Sequence, residues 1–424
     1  EDLHFSLPRF LSHAVSGRRK ADELVALAGR NLSSAAACRL RGRSHAGGRR
    51  HDAACEAVAE KAFDARRQVV TPGVVVKSSD VQVRELGEGD FDAWRGVLAR
   101  SPQGSVYGLP EYLAALCEAT GARYRIIGVF LNNRLVGGAP LYERRARGGT
   151  VVTNRTLLYY NGVVLDLPPK KFQSDRTAQM LSVLAVLEHS LADLGYAHVS
   201  LHHHSSLTDL RPFLARGWHS SLSYTYVVSL TDMAEQWARV DKNLKRLIRR
   251  CEREGVTYRE DEDFDALYRL HWQTHRRKGA PLYLPEAAFR RFFERLQACG
   301  LVRLGHAVFQ GEVVASQLML TGPYPVSHTV CAGADENHLK LGANAFLRWQ
   351  GFLSLHRDGF LANDLTDASL NPVTRFKSQL GGELTPTWSI ARTDSLRFRL
   401  NGAARQIKTG LQKRLYRPRV EDAA

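Results

Sequence analysis

Between Gly342 and Gly382 the chain reads GANAFLRWQGFLSLHRDGFLANDLTDASLNPVTRFKSQLGG, and the order of signals in this run leaves few folds open. Gly342, Ala343 and Asn344 open a helix whose apolar positions recur at helical spacing: Phe346, Leu347, Trp349, Phe352, Leu353 and Leu355. Gly359 stands where a glycine commonly stops a helix. Phe360 to Leu365 is a short apolar run closed by Asp364, which predicts a buried strand. A polar turn at Asn371-Pro372 follows. Arg375-Phe376-Lys377 is then expected in a loop ahead of Gly381-Gly382.

The chain has 424 residues, long for one domain and comfortable for two. No apolar run approaches the ~18–20 residues of a membrane helix. The N-terminus lacks a charged-then-apolar leader pattern, so a soluble, cytoplasmic protein is expected. A formal net charge of +16 favours anionic partners: phosphates, nucleotides, RNA or an acidic membrane surface. The six cysteines are scattered without a C-x-x-C pair, which predicts free thiols and neither a zinc ribbon nor a redox pair.

Residues 1–79 are rich in Ala, Arg, Ser and His, with few aromatic or β-branched residues before Val69, and are expected to stay disordered. From Val81 the pattern changes. A strand (VQVREL), a helix expected to be capped by Asp90, a helix opened by Pro110, and a hairpin turning at Asn132-Asn133 come in that order. A long helix closed by Gly195 and a strand over His198–His203 complete a first unit. The plan then repeats: a strand from Tyr224, one helix over Asp232–Arg253, a strand, two helices, and a hairpin turning at Gln310-Gly311. A strand from His328 and the run described first follow. This predicts two α+β units, 80–223 and 224–396, and a basic tail over 397–424.

Three stretches carry a family resemblance. The first is the order Gly-x-Asn, amphipathic helix, strand ending in Asp, and Phe-Lys before Gly-Gly. The second is KNLKRLIRRCEREGV, Lys242 to Val256. The third, weaker, joins SVYGLPEYLAAL, GVFLNNRLVGGAPLYER and YYNGVVLD. Together they resemble the FemAB-type and CelD-like acyltransferases, tandem GNAT-fold proteins, over roughly Val81 to Leu400. The resemblance implies two tandem GNAT folds, each a mixed, mainly antiparallel sheet flanked by helices. It also implies transfer of an acyl group to an amine or hydroxyl of a cell-envelope or polysaccharide-related acceptor, such as a glycan or peptidoglycan precursor. The implied co-substrate is acyl-CoA, with aminoacyl-tRNA as the alternative donor. The absence of a coiled-coil arm leans toward acyl-CoA.

Site residues follow by motif match. Acyl transfer needs charge stabilisation at a tetrahedral intermediate, and the resemblance assigns Phe376 and Lys377 to that step. Asp364 or Asp367 is a candidate general base, although capping is the commoner use of such an Asp. Lys340, Gly342, Ala343 and Asn344 are candidates for the donor, because a helix N-terminus of small residues attracts a pyrophosphate. HLKLGANA departs from the usual GNAT loop: Leu339 stands where Arg or Gln is expected. Lys242, Lys245, Arg246 and Arg249 share one face of a helix, suited to an acceptor phosphate or simply solvated. Glu312, Ser316 and Gln317 are weaker candidates in the second hairpin. His202 and His204 share a strand face without an obvious third ligand, so no metal site is predicted. The rival from another class is a non-catalytic nucleic-acid-binding protein held by basic tails, though no RNA- or DNA-binding motif is present and DNA is not an expected partner.

Overall fold

A computed structural model describes residues 81–400, apart from Thr156 and Asn371. The expectations for residues 1–79, for the Asn371 half of the turn and for the tail beyond Leu400 lie outside these residues.

The N-terminal half runs β1 (Val81–Glu85), α1 (Phe91–Arg100), α2 (Pro110–Thr120), β2 (Arg123–Leu131), β3 (Arg134–Ala146), β4 (Gly149–Val152), β5 (Val164–Leu165), α3 (Gln173–Asp193), β6 (His198–His203) and a short α4 (Arg211–Leu214). The C-terminal half runs β7 (His219–Ser229), α5 (Met233–Arg239), α6 (Lys242–Arg253), β8 (Thr257–Asp261), α7 (Phe264–Lys278), α8 (Glu286–Ala298), β9 (Val302–Phe309), β10 (Glu312–Leu320) and β11 (Val326–Ala334). It continues with α9 (Ala343–Arg357), β12 (Ala362–Asp364), α10 (Pro372–Gln379) and β13 (Glu383–Thr393).

The two hairpins form where their turn residues allow it. Asn132 and Asn133 take φ of 49° and 63°, and Gln310 and Gly311 take 51° and 84°, the left-handed values of a tight hairpin turn. Two expectations change. Asp90 precedes α1 but does not cap it, because its carboxylate binds Arg84 at 2.7 Å and the Gly87 amide at 2.9 Å. The single helix expected over Asp232–Arg253 is two, α5 and α6. Val240 is extended, the Asp241 amide donates to the Gln379 carbonyl at 2.8 Å, and the Asp241 side chain caps α6 through the Asn243 amide at 2.7 Å.

All the described strands join one sheet in the order β1-β2-β3-β4-β6-β13-β7-β12-β11-β10-β9-β8, with β5 on β3. Its pairings are antiparallel except for β4–β6 and β11–β12. These two parallel pairs hold equivalent places: β1-β2-β3-β4-β6 in one half repeats as β8-β9-β10-β11-β12 in the other. The fold is thus two GNAT-like units built on one plan. β13 lies between β6 and β7, pairing with both, so the last strand of the described residues returns to the first half. The halves also share core. Tyr112 of α2 meets Phe292 of α8 edge to face at 5.6 Å, within a cluster that includes Trp94, Leu116, Phe289 and Leu318.

Candidate active site

The site begins where two strands part. β11 and β12 pair through only three residues, Val326 to His328 against Ala362 to Asp364. Beyond that, β11 continues alongside β10 to Ala334, while the chain after Asp364 turns away. The wedge between them is a cleft of about 430 Å3. One wall is β11 from Thr329 to Ala334, the facing wall is the Leu365–Asp367 loop, and Asn344 and Arg348 of α9 and Phe376 and Lys377 of α10 close it.

Asp364 is the hub of the loop. It is wholly buried, and its carboxylate accepts from the Thr366 amide at 2.7 Å, from the Tyr160 hydroxyl at 2.7 Å and from the Thr225 hydroxyl. A buried carboxylate is tolerated only with such a set of donors. Beside it the Asn363 amide donates to Ser327 Oγ at 2.9 Å, which pins β12 to β11. The next residues, Thr366 and Asp367, hold φ of 53° and 33°, a conformation disfavoured for side-chain-bearing residues, and it persists because the surroundings impose it.

Lys377 imposes it from the other side. Its ammonium donates to the carbonyls of both Thr366 and Asp367. Burial, aided by the nearby Arg348 guanidinium, pushes Lys377 down to about 8, and the carboxylates of Asp367 and Asp364 act in the opposite sense. Arg348 is itself held in the cleft. It donates to Gln317 Oε1 at 3.1 Å, and Gln317 in turn donates to the Leu347 carbonyl at 3.1 Å. Gly351 lets Gln317 lie against the helix, since a Cβ there would overlap its Nε2.

A second cleft, of about 480 Å3, lies across the same loop. It shares Tyr159, Tyr283, Thr366 and Asp367 with the first, so these four form a common wall. Its remaining lining comes from both halves: Tyr160 and His202 from one, Ser223 and Thr225 of β7 and Thr387 of β13 from the other.

The sequence-derived candidates distribute unevenly over this geometry. Phe376 and Lys377 line the first cleft, but on helix α10 and not in a loop; the run after Asn371 supports about two turns of helix before Gly381 (φ 80°) ends it. Asp364 is beneath the common wall and reaches neither cleft. Asn344 lines the first cleft, Ala343 is buried, and Gly342 (φ 90°) stands before α9 with its Cα against Leu247 of α6. Lys340 is exposed, and its carbonyl accepts from Arg250 at 3.3 Å. Lys242, Lys245, Arg246 and Arg249 line neither cleft. Lys245 and Arg249 lie over the Trp237 ring at 5.6 and 5.8 Å, and Trp237 rests on Trp349 at 4.6 Å. Ser316 and Gln317 are buried, and Glu312 borders an open groove of about 930 Å3 beside Trp272, away from Lys377. His202 and His204 flank the Tyr160 ring, and no cluster of three or more metal-ligating side chains forms among the described residues. Sequence reasoning missed Tyr159, Tyr283 and Arg348. The Tyr159-Tyr160-Asn161-Gly162 run was visible as a motif, but nothing local marked its rings as part of a wall.

Residues 238–378 match the family model described as an acetyltransferase (GNAT) domain. That span contains the wedge, the loop and Lys377. Among solved structures, that of FemX superposes with a TM-score of 0.59 at 11% identity, over 76% of this chain and 99% of that one. A tandem GNAT protein from the clavulanic acid biosynthesis pathway superposes with a TM-score of 0.46 at 13% identity, over 74% and 98%. No curated protein is similar in sequence. The fold is that of GNAT proteins, and residues 238–378 carry the sequence pattern of a GNAT acetyltransferase domain. The described residues share their fold with the FemX structure.

Proposed function

We propose that this chain is an acyltransferase that moves an acyl group from acyl-CoA to an amine or hydroxyl of a cell-envelope or polysaccharide-related acceptor. The observation that carries this reading is the pair of clefts meeting at one strained loop, with a lysine clamped against it. Two substrates entering from opposite sides would meet at Tyr159, Tyr283, Thr366 and Asp367. The first cleft suits the donor. The β11 edge beyond His328 has lost its β12 partner, and such an edge can pair with an extended amide-bearing chain. Arg277, Lys278, Arg348 and Lys377 make the same cleft cationic, as phosphates require. Asn344 places the start of α9 there too.

Catalysis on this reading is positioning plus electrostatics. Lys377 spends two N–H groups on the loop carbonyls and keeps one, with its charge, near a developing oxyanion. Phe376 lines the same cleft and anchors α10 on the buried core, and Asp364 fixes the loop from below. Asp367, on the common wall, is the group placed to take a proton from the acceptor. Cys331 also lines the donor cleft, but burial pushes its thiol up to about 12 and its neighbour His271, 3.2 Å away, down to about 3. A neutral thiol beside a neutral imidazole favours direct transfer over an acyl-enzyme. Lys242, Lys245, Arg246 and Arg249 are assigned to a phosphate on a nucleotide- or lipid-linked acceptor, outside both clefts. An aminoacyl-tRNA donor is the alternative for the first cleft, and its cationic lining suits that as well.

Calorimetry of the full chain with acetyl-CoA and with free coenzyme A tests the reading. Saturable binding that is weakened by Arg348→Ala is expected. Absence of binding, with binding of an aminoacyl-tRNA in its place, would move the donor to the alternative.

A further inference from the structure

Resting on the acyltransferase reading above, we infer that the second cleft is a seat for a polyhydroxylated primary amine, an amino sugar, with its nitrogen turned to Asp367. The two clefts divide their charge sharply. The basic side chains collect on the donor side, whereas the second cleft has one basic residue, Arg155, which donates to the Tyr142 hydroxyl at 3.1 Å. A phosphate has little to hold it there. What lines this cleft instead is neutral and hydrogen-bonding: Asn154, Ser223, Thr387 and His202.

These groups point to a ligand rich in hydroxyls. The Asn154 amide faces His202 Nδ1 at 3.2 Å, so the ring proton sits on Nε2 and is donated to Thr387 Oγ1 at 2.8 Å. The Thr387 hydroxyl hydrogen is thereby left for a guest. Burial lowers His202 to about 4, which keeps the ring uncharged in neutral solution. The Ser223 hydroxyl makes no hydrogen bond among the described residues and adds a second donor–acceptor. The rings of Tyr160 and Tyr224 supply the flat apolar walls that a sugar's C–H faces pack against. A volume of about 480 Å3 lies within the ordinary range of small-ligand sites.

Asp367 is the acid of this lining, and it stands on the wall shared with the donor cleft, where the attacking nitrogen has to be. The ammonium gives one proton to the Asp367 carboxylate. The freed nitrogen attacks the thioester carbonyl, the C–N bond forms, and the C–S bond breaks. The departing thiolate takes a second proton from nitrogen, leaving an amide and a free thiol.

The test uses the full chain with glucosamine, glucose and butylamine as probes, read by saturation-transfer NMR without donor and by thiol release with acetyl-CoA. Glucosamine is expected to give saturable transfer and turnover, glucose transfer without turnover, and butylamine neither at matched concentration. Ser223→Phe, which fills the cleft from β7, should weaken glucosamine binding by about tenfold or more while acetyl-CoA affinity stays within about twofold. Tyr224→Ala, at a half-exposed position, repeats the test where Ser223→Phe lowers the melting temperature. Asp367→Asn should lower kcat by about a hundredfold or more with a small change in KM. Glucosamine transfer untouched by both cleft variants, or butylamine matching glucosamine, overturns the assignment. Loss of acetyl-CoA binding alone would count against the donor reading, since the NMR comparison is made without donor.

Discussion

Lys377→Met keeps the length of the side chain and removes its charge and its donors. The structure sets the expected balance. Moving the ammonium from 10.5 to about 8 corresponds to a burial cost of about 3 kcal/mol. Two charge-assisted bonds to the Thr366 and Asp367 carbonyls offset it at about 1.5–3 kcal/mol each. The net contribution to stability is therefore small, about 0–3 kcal/mol, and the melting temperature should move by only a few degrees. Turnover should fall much further, by about a hundred- to a thousandfold, because the strained loop loses its clamp and the site loses its cation. The pH dependence separates charge from packing. With its folded value below the free value, the folded chain gives up this proton first, so the wild type should gain stability as pH rises from about 8 toward 10.5. The methionine variant should lack that rise. Thiol release with acetyl-CoA and glucosamine, with thermal melts across this pH range, reads both effects. Wild-type turnover in the variant would refute the clamp, and turnover lost together with the fold would reduce Lys377 to a structural lysine.

Asp364→Asn replaces a carboxylate that accepts three hydrogen bonds with a group that must present an N–H to one of the donors, and should cost about 2–3 kcal/mol by chemical denaturation. Gly342→Ala introduces a Cβ at φ 90° and only 2.8 Å from Leu247 Cβ, which should destabilise by about 2–4 kcal/mol and separate α6 from α9 in a denaturation series. His202 and His328, lowered to about 4, and His203 and His271, lowered to about 3, are buried uncharged. The unfolded chain binds protons below about 6.5 that the folded chain refuses, so stability is full above that pH and is lost as pH falls toward 4. Acid titration followed by circular dichroism should show a cooperative transition in this window, shifted to lower pH in His328→Gln.

Regular elements were legible in the sequence wherever one local signal decided them. The Asn132-Asn133 and Gln310-Gly311 turns, Pro110 at a helix start and Gly359 after a helix each act within a few residues. Breaks set by distant partners were not legible. Nothing in Trp237 to Lys242 announces that the Asp241 amide is claimed by Gln379, more than a hundred residues later, and that this splits one helix into two. The Phe-Lys pair was found by resemblance, yet its helix and its grip on two carbonyls were not, because a lysine's target is chosen by tertiary structure. The common wall was the least accessible. Tyr159, Tyr283 and Thr366 come from three separate places in the chain, and only strand order brings them together. The basic face of α6 marks another limit: its spacing is legible, but spacing does not say which way the helix turns, and neither cleft receives it.

The place of β13 has a consequence for how the molecule comes into being. Roughly 150 residues separate the end of β7 from the start of β13, and until β13 arrives neither β6 nor β7 has the neighbour it keeps in the finished sheet. At about 5–20 residues per second, a nascent chain spends many seconds with two open strand edges facing each other across an unfilled slot. β13 acts as a keystone laid after both arches stand. A chain broken off before Glu383 would leave that slot empty, and sticky edges would compete to fill it with another molecule's strand.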